Sequence, residues 1–450
     1  MNRPKLFASL LALALLVPAG AFAQSVDTGD ANFTRYVALG DSLTAGFASG
    51  SINEVYQRRS YPALIWRQAT NGAAGFEQPL VSQPGLPGIL ELVSLVPVTI
   101  RPRAGAGQPI NLNLARPYNN MAIPGADVVD LVAKTTSTSA SDPTDLVLRR
   151  LGFTQLQQGL SLQPTFVTLW IGNNDALGAA TSGIVNDQTL TPLPVFEQAY
   201  RTAAAAIAQV GARMAVANIP DVTSIPYVTT VPRVVVNPQT SQPVLGPNGQ
   251  PIPLIGPNGP LGAGDFVLLP ATALLAQGFG LPPGIPGANG QPLPDSAVLS
   301  ASEVATIRAR VTGYNNVIRA VATERSAAFV DMNAELTRLA TTGVNIGGIT
   351  YTGAFLTGGI FSYDGVHPNA FGYAYIANLF IEAINDRFNG EIPPVNLLPF
   401  VFGGSTVGST AASVDETSVP FLYTPEARRN LLKALNVPQR VIDGKPRRRG

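Results

Sequence analysis

The chain has 450 residues, no cysteine, one histidine and a formal charge of +1. That length supplies ample core for one large domain or two smaller ones, and the near-zero charge argues against nucleic acid as the main partner. Without cysteine there are no disulfide staples and no thiolate zinc site, and one histidine cannot build a His-rich centre, so neither metal nor cofactor is expected.

Residues 1–23 read as a secretory signal. Arg3 and Lys5 supply the positive start, an apolar run follows, and Ala21-Phe22-Ala23 forms a small-x-small cleavage site. Export is therefore expected, with the periplasm, the outer membrane or the medium as destinations. The main domain is read over 24–390. Tyr36–Leu39 reads as a strand that stops on Gly40, with Asp41 and Ser42 immediately after it. Residues 48–118 are long and mixed in pattern and form a first insertion.

Asn119–Ile123 is a second predicted strand, ending at Pro124-Gly125 before a helix over 126–134. Phe166–Ile171 is a third, running into Gly172, with Asn173, Asn174 and Asp175 next. Met214–Ile219 and Ala328–Asp331 complete the set, with helical patterns at 196–210 and 300–324. Strands alternating with helices imply a parallel sheet covered on both faces, an α/β architecture. Residues 221–298 break the alternation as a second insertion rich in Pro and Gly. Its Asn-Gly steps at Asn248, Asn258 and Asn289 favour tight hairpins, and the greasy stretch 266–280 is too apolar for a flexible linker.

Helical periodicity returns at 368–388, where Phe371, Tyr375, Leu379 and Ala383 recur every fourth residue beside Ile376, Phe380 and Ile384. Residues 391–450 read as an extension with one amphipathic helix at 424–436 and a basic end, KPRRRG.

The only histidine, His367, follows Asp364 by three residues and precedes Pro368. Proline pushes the residue before it out of helical geometry, so Asp364 and His367 share a loop ahead of the last helix. A carboxylate there can bond one imidazole nitrogen and leave the other for a serine proton. In an open parallel sheet, ligands bind beyond the carboxyl ends of the strands. Ser42, Gly125 and Asn174 all follow predicted strands, which brings them to one edge. Backbone N–H groups at a turn and a side-chain amide are the usual donors to an oxyanion. Asp41, Asn119, Asn120 and Asn173 are read as bracing their turns, and Trp170 as core. Asp175 and Asp331 also follow strands but are remote in sequence from His367.

GDS at 40–42, N-x-A-x-x-G at 120–125, G-x-N-D at 172–175 and D-x-x-H-P at 364–368 together resemble the SGNH, or GDSL-type, hydrolases, in that family's order. SYPAL at 60–64 and NIPDVTSIP at 218–226 are similar to longer bacterial members. The resemblance implies a three-layer α/β/α, flavodoxin-like fold with a central parallel sheet. It also implies a triad of Ser42, Asp364 and His367, and an oxyanion hole from Ser42, Gly125 and Asn174. Ser42 is expected to stand exposed at the sheet edge.

The reading is an exported serine esterase or lipase that cleaves carboxylic esters through an acyl-enzyme. Acyl or lipid esters are the favoured substrates, and the greasy segments leave room for peripheral contact with membrane lipid. A polysaccharide O-deacetylase using the same triad is the alternative, followed by a non-catalytic surface-binding protein of the same fold.

Overall fold

The computed structural model describes residues 26–95, 98–402, 421–435 and 437–443. The expected signal and the basic end lie outside the described residues.

The central sheet has four parallel strands in sequential order, β1 (Tyr36–Gly40), β2 (Phe166–Trp170), β3 (Arg213–Ala217) and β4 (Ala328–Val330). Side chains alternate across a strand, and here each face has its own core. Val37, Leu39, Val167, Leu169, Met214 and Val216 point to one side; Tyr36, Ala38, Phe166, Trp170, Ala215 and Ala217 point to the other. With both faces covered, these strands read as nearly unbroken apolar runs rather than as alternating ones. Fully burying a residue such as Leu39 is worth roughly 1.5–3 kcal/mol.

Ser42–Ala45 forms a single helical turn, α1, after β1. On the second face lie α2 (Tyr61–Ala69) and the last long helix Ala370–Phe388, and Tyr61 stacks on Phe380 with ring centroids 4.5 Å apart. The first face is covered by α3 (Val128–Ala133), α4 (Asn174–Ser182), α5 (Leu193–Gln209) and α6 (Ala301–Glu324). A capping box starts α6: Ser300 Oγ accepts from the Glu303 N–H, and the Glu303 carboxylate accepts from the Ser300 N–H. Ala370–Phe388 is α7, and Pro425–Ala434 in the extension is α8.

The strand expected at 119–123 is shorter than its pattern. One residue, Asn120, bridges to Ala38 on the free edge of β1. Ala38 N–H donates to Asn119 O, Met121 N–H to Ala38 O and Ile123 N–H to Gly40 O. The Asn119 and Asn120 N–H groups go instead to Glu77 O, and Pro124 has no N–H to extend the ladder.

Both insertions are built onto the same core. The first contains α2 and a hairpin of Leu90–Leu95 with Val98–Pro102. The second forms the short hairpins expected of it. Gly246 and Gln250 are bonded across Asn248-Gly249, and Ile255–Gly256 pairs with Gly259–Pro260 around Asn258. Its apolar stretch does not dangle: Val267, Leu268 and Leu269 are buried in the core that β1 and β2 share.

Candidate active site

Gly40 ends β1 for a steric reason. A Cβ there would lie 2.2 Å from Thr44 Oγ1 and 2.4 Å from Trp170 O, so only glycine lets the chain turn this close to β2. Asp41 then caps α1, its Oδ1 accepting from the Leu43 N–H at 3.0 Å. Ser42 is the first residue of α1, and its N–H has no intrahelical acceptor.

His367 Nε2 lies 2.8 Å from Ser42 Oγ, and its Nδ1 lies 2.9 Å from Asp364 Oδ2. The residues proposed from sequence, 325 positions apart, are therefore in hydrogen-bond contact. The Asp364 carboxylate is saturated with donors. Oδ2 also accepts from the Gly50 N–H at 2.8 Å; Oδ1 accepts from Val366 N–H at 2.9 Å, His367 N–H at 2.8 Å and the Ser362 hydroxyl at 3.2 Å. Burial pushes this carboxyl up, but the neighbouring imidazole and the N–H donors of His367 and Gly50 outweigh it and hold it below the ordinary carboxylate range.

Ser42 is only 2% exposed, which corrects the expectation of an exposed serine. It does sit at the strand end, but the Phe47 ring packs on His367 with centroids 4.8 Å apart, and both Asp364 and His367 are fully buried.

Two of the oxyanion candidates, Gly125 and Asn174, meet at one loop. Gly125 has φ +81°, a left-handed conformation that disfavours any side chain. Asn174 Nδ2 donates to Ala126 O at 2.9 Å, which orients the amide and leaves its second hydrogen free. Asp175 secures the same loop by accepting from the Val128 N–H at 2.9 Å. Burial, then the charge of Asp127, raises the Asp175 carboxyl well above its ordinary range. Asp175 thus braces α3 and has no contact with His367. Asp331 caps the helix Met332–Thr341 and receives Arg319, away from the site.

The bracing amides are as read. Asn173 Nδ2 donates to Asp41 Oδ2 at 2.8 Å, Asn119 to Tyr36 O at 2.8 Å and Asn120 to Thr44 O at 2.9 Å. Trp170 is core, 2% exposed. Asp41 itself is fully buried. Desolvation raises its carboxyl to about 6, against the lowering effect of Asn173, the Leu43 N–H and His367.

Two partners of the Asp–His loop, Ser49 and Gly50, escaped the sequence reading. Gly50 supplies an N–H to Asp364, Ser49 N–H donates to Ser362 Oγ at 2.7 Å, and Tyr363 N–H donates to Ser49 Oγ at 3.2 Å. The signal available was the small-residue run Ala48-Ser49-Gly50-Ser51, which fits a backbone loop that must approach another closely.

A groove of about 1400 Å³ has Phe47 and Pro124, the neighbours of His367 and Gly125, among its lining residues. Ser42 and His367 do not line it. Its apolar walls include Ile52, Leu86 and Leu146, which pack with Phe47. Its walls also carry charged side chains of both signs.

An α/β sheet with Ser, His and Asp in hydrogen-bond sequence beyond its strand ends has the form of a serine hydrolase. Residues 36–380 match the family described as GDSL-like lipase/acylhydrolase, and the chain belongs to that family. It is a carboxylic ester hydrolase. Among solved structures it is similar to Axe2, an acetylxylan esterase from Geobacillus stearothermophilus. The two are 13% identical over 78% of this chain and 93% of that one, with a TM-score of 0.35. It is also similar to LAE5, an alpha/beta hydrolase enzyme from the metagenome of Lake Arreo, Spain, at 15% identity over 79% and 96%, with a TM-score of 0.36. No curated protein matches the sequence.

Proposed function

We propose that Ser42 is the nucleophile of an exported esterase acting on acyl or lipid esters. The observation that carries the catalytic assignment is the continuous relay from Ser42 Oγ through both imidazole nitrogens to Asp364. Ser42 Oγ attacks the acyl carbonyl while His367 Nε2 takes its proton. The oxyanion forms toward the N–H groups of Ser42 and Gly125 and the free amide hydrogen of Asn174. His367 then protonates the leaving alcohol, and water repeats the cycle on the acyl-enzyme. Asp364 holds the Nδ1–H tautomer and steadies the imidazolium.

The preference for acyl chains rests on the groove, whose apolar residues Ile52, Leu86 and Leu146 pack with Phe47, the ring that lies on His367. Among the described residues Phe47 is its one aromatic lining residue, and it lies against His367 rather than offering a platform for a sugar ring. Export rests on the N-terminal pattern of residues 1–23.

Ser42→Ala tests the chemistry, with an expected loss of ~10⁴–10⁶ in kcat on p-nitrophenyl esters and a retained cooperative melt. Activity above a tenth of wild type removes Ser42 from the mechanism. Graded p-nitrophenyl esters beside acetylated xylan test the substrate class. Faster turnover of the xylan than of any ester longer than acetate turns the reading toward the deacetylase.

A further inference from the structure

The family match ends at residue 380, yet residues beyond it line the groove. The chain returns at Phe421–Tyr423 to pair in parallel with Val98–Pro102 of the first insertion, then enters α8. Ala427, Leu431 and Leu432 of α8 are fully buried in the core that holds Val37 and Leu39. Glu426, Asn430 and Lys433, spaced i, i+4 and i+7 and so aligned along one face, line the groove instead.

Most other charges on the groove walls are committed. Arg101 faces Glu91 at 3.8 Å, Arg150 pairs with Asp145 at 2.6 Å, and Asp142 pairs with Lys134 at 2.9 Å. The Arg149 guanidinium donates to the carbonyls of Leu114 and Arg116. Among the described residues, no ion pair or side-chain hydrogen bond engages Arg103, Glu426, Asn430 or Lys433. Two cations and an amide therefore face the groove with their donors unused.

We propose that α8 is a wall of the substrate groove and that Lys433, together with Arg103, selects esters bearing an anionic group remote from the scissile bond. The proposal rests on ester hydrolysis at Ser42 and names the substrate that site takes. Hydrocarbon next to the ester lies along Ile52, Leu86, Pro87 and Leu146, and a carboxylate or phosphate at the far end meets Lys433, Arg103 and the Asn430 amide. Glu426, two turns before Lys433 on the same helical face, repels an anion and so fixes which end of that face it takes.

The test uses the full chain and two substrates of equal length, p-nitrophenyl dodecanoate and the p-nitrophenyl monoester of dodecanedioic acid, the second ending in a carboxylate. Lys433→Glu is expected to lower the ratio of kcat/KM, anionic over neutral, by about tenfold through KM. Lys433→Arg restores the ratio, and added salt shrinks the wild-type preference. A merely structural role would move both esters together. A lysophosphatidate arm tells which side of the ester the groove holds: a KM for it that depends on Lys433 places the anion on the alcohol side. If Lys433→Glu fails to fold, Arg103→Glu is read for the same ratio. A ratio unchanged in the variant that folds, or an equal loss on both esters, overturns the proposal. If instead wild type hydrolyses neither ester in a Ser42-dependent way, the reading of the site itself falls.

Discussion

Asp364→Asn separates catalysis from stability, because the carboxylate has no spare acceptor. Its Oδ2 takes Gly50 N–H and faces His367 Nδ1, while Oδ1 takes two backbone N–H groups and the Ser362 hydroxyl. Asparagine offers one oxygen and one NH₂ in the same space. With nitrogen at the Oδ1 position, the N–H groups of Val366 and His367 both lose their acceptor. With nitrogen at the Oδ2 position, only the Gly50 N–H is orphaned. A buried donor without a partner costs about 1–3 kcal/mol, so the second orientation is favoured by one such increment. That orientation donates to Nδ1, forces the imidazole proton onto Nε2 and leaves nothing to accept from Ser42 Oγ. The expected result is a loss of ~10⁴ in kcat from the wrong tautomer beside a stability loss of about 1–3 kcal/mol. A p-nitrophenyl butyrate assay and denaturant unfolding measure the two. There is also a pH signature. The folded carboxyl lies below its ordinary value, so its contribution is present above about pH 4 and is lost as pH falls through the folded value. The variant should lack that share of acid sensitivity. A kcat within tenfold of wild type refutes the tautomer argument.

Asn174→Ala is expected to lower kcat by about 10²–10³ with little change in KM, since its amide meets charge that develops only in the transition state; an unchanged kcat takes it out of the oxyanion hole. Gly125→Ala places a side chain at φ +81° and should cost roughly 1 kcal/mol or more of stability, with kcat falling as the N–H moves; full activity would show that Gly125 donates nothing. Asp41→Asn should flatten the pH dependence of stability. The carboxyl is raised to about 6, so the folded state favours its protonated form, and the stability this adds below pH 4 is lost as pH climbs through 6. At about 1.4 kcal/mol per pKa unit the wild type loses roughly 3 kcal/mol over that range from this group. Equal slopes for both proteins between pH 4 and 7 would contradict it.

Much of the site was legible because its parts are punctuated locally. Gly40 ends β1, Gly172 follows β2 and Pro124-Gly125 ends a segment bonded to the edge of β1, and the rule that ligands gather beyond strand ends points to Ser42, Gly125 and Asn174 without any contact being known. The Asp364–His367 pair is local in sequence, and Pro368 holds His367 off the helix. What stayed hidden depends on long-range packing. Gly50 reaches Asp364 across 314 positions, and no periodicity marks it. Neither the burial of Ser42 nor the packing of Phe47 on His367 is marked by any local pattern. Helix α4 was missed because Asn174–Ser182 is built of small residues, and its buried face carries only Leu177 as a large apolar side chain. The amphipathic face of α8 was visible in sequence, but the core it joins was not.

The parts outside the core sheet are not appendages to a finished site. The Asp364–His367 loop is held from one side by Ser49 and Gly50 of the chain entering the first insertion. On the other, Tyr227 N–H, at the base of the second insertion, donates to Gly365 O at 2.9 Å, and Leu269 N–H donates to Tyr227 O at 2.8 Å. Gly365 has φ +69°, and a Cβ there would approach Tyr227 N at 3.1 Å, so the loop is shaped by the insertion that abuts it. Excising 235–295 to alter substrate choice would also remove Leu254, Val267, Leu269 and Leu293 from the shared core. Each deleted large apolar side chain costs about 2–5 kcal/mol, and a whole domain is stable by only about 5–15 kcal/mol. If the groove takes the substrate as proposed, specificity is separable from folding at side chains that face it without joining the core. Lys433 and Asn430 on α8 meet that condition, and the segment that carries Leu269 does not.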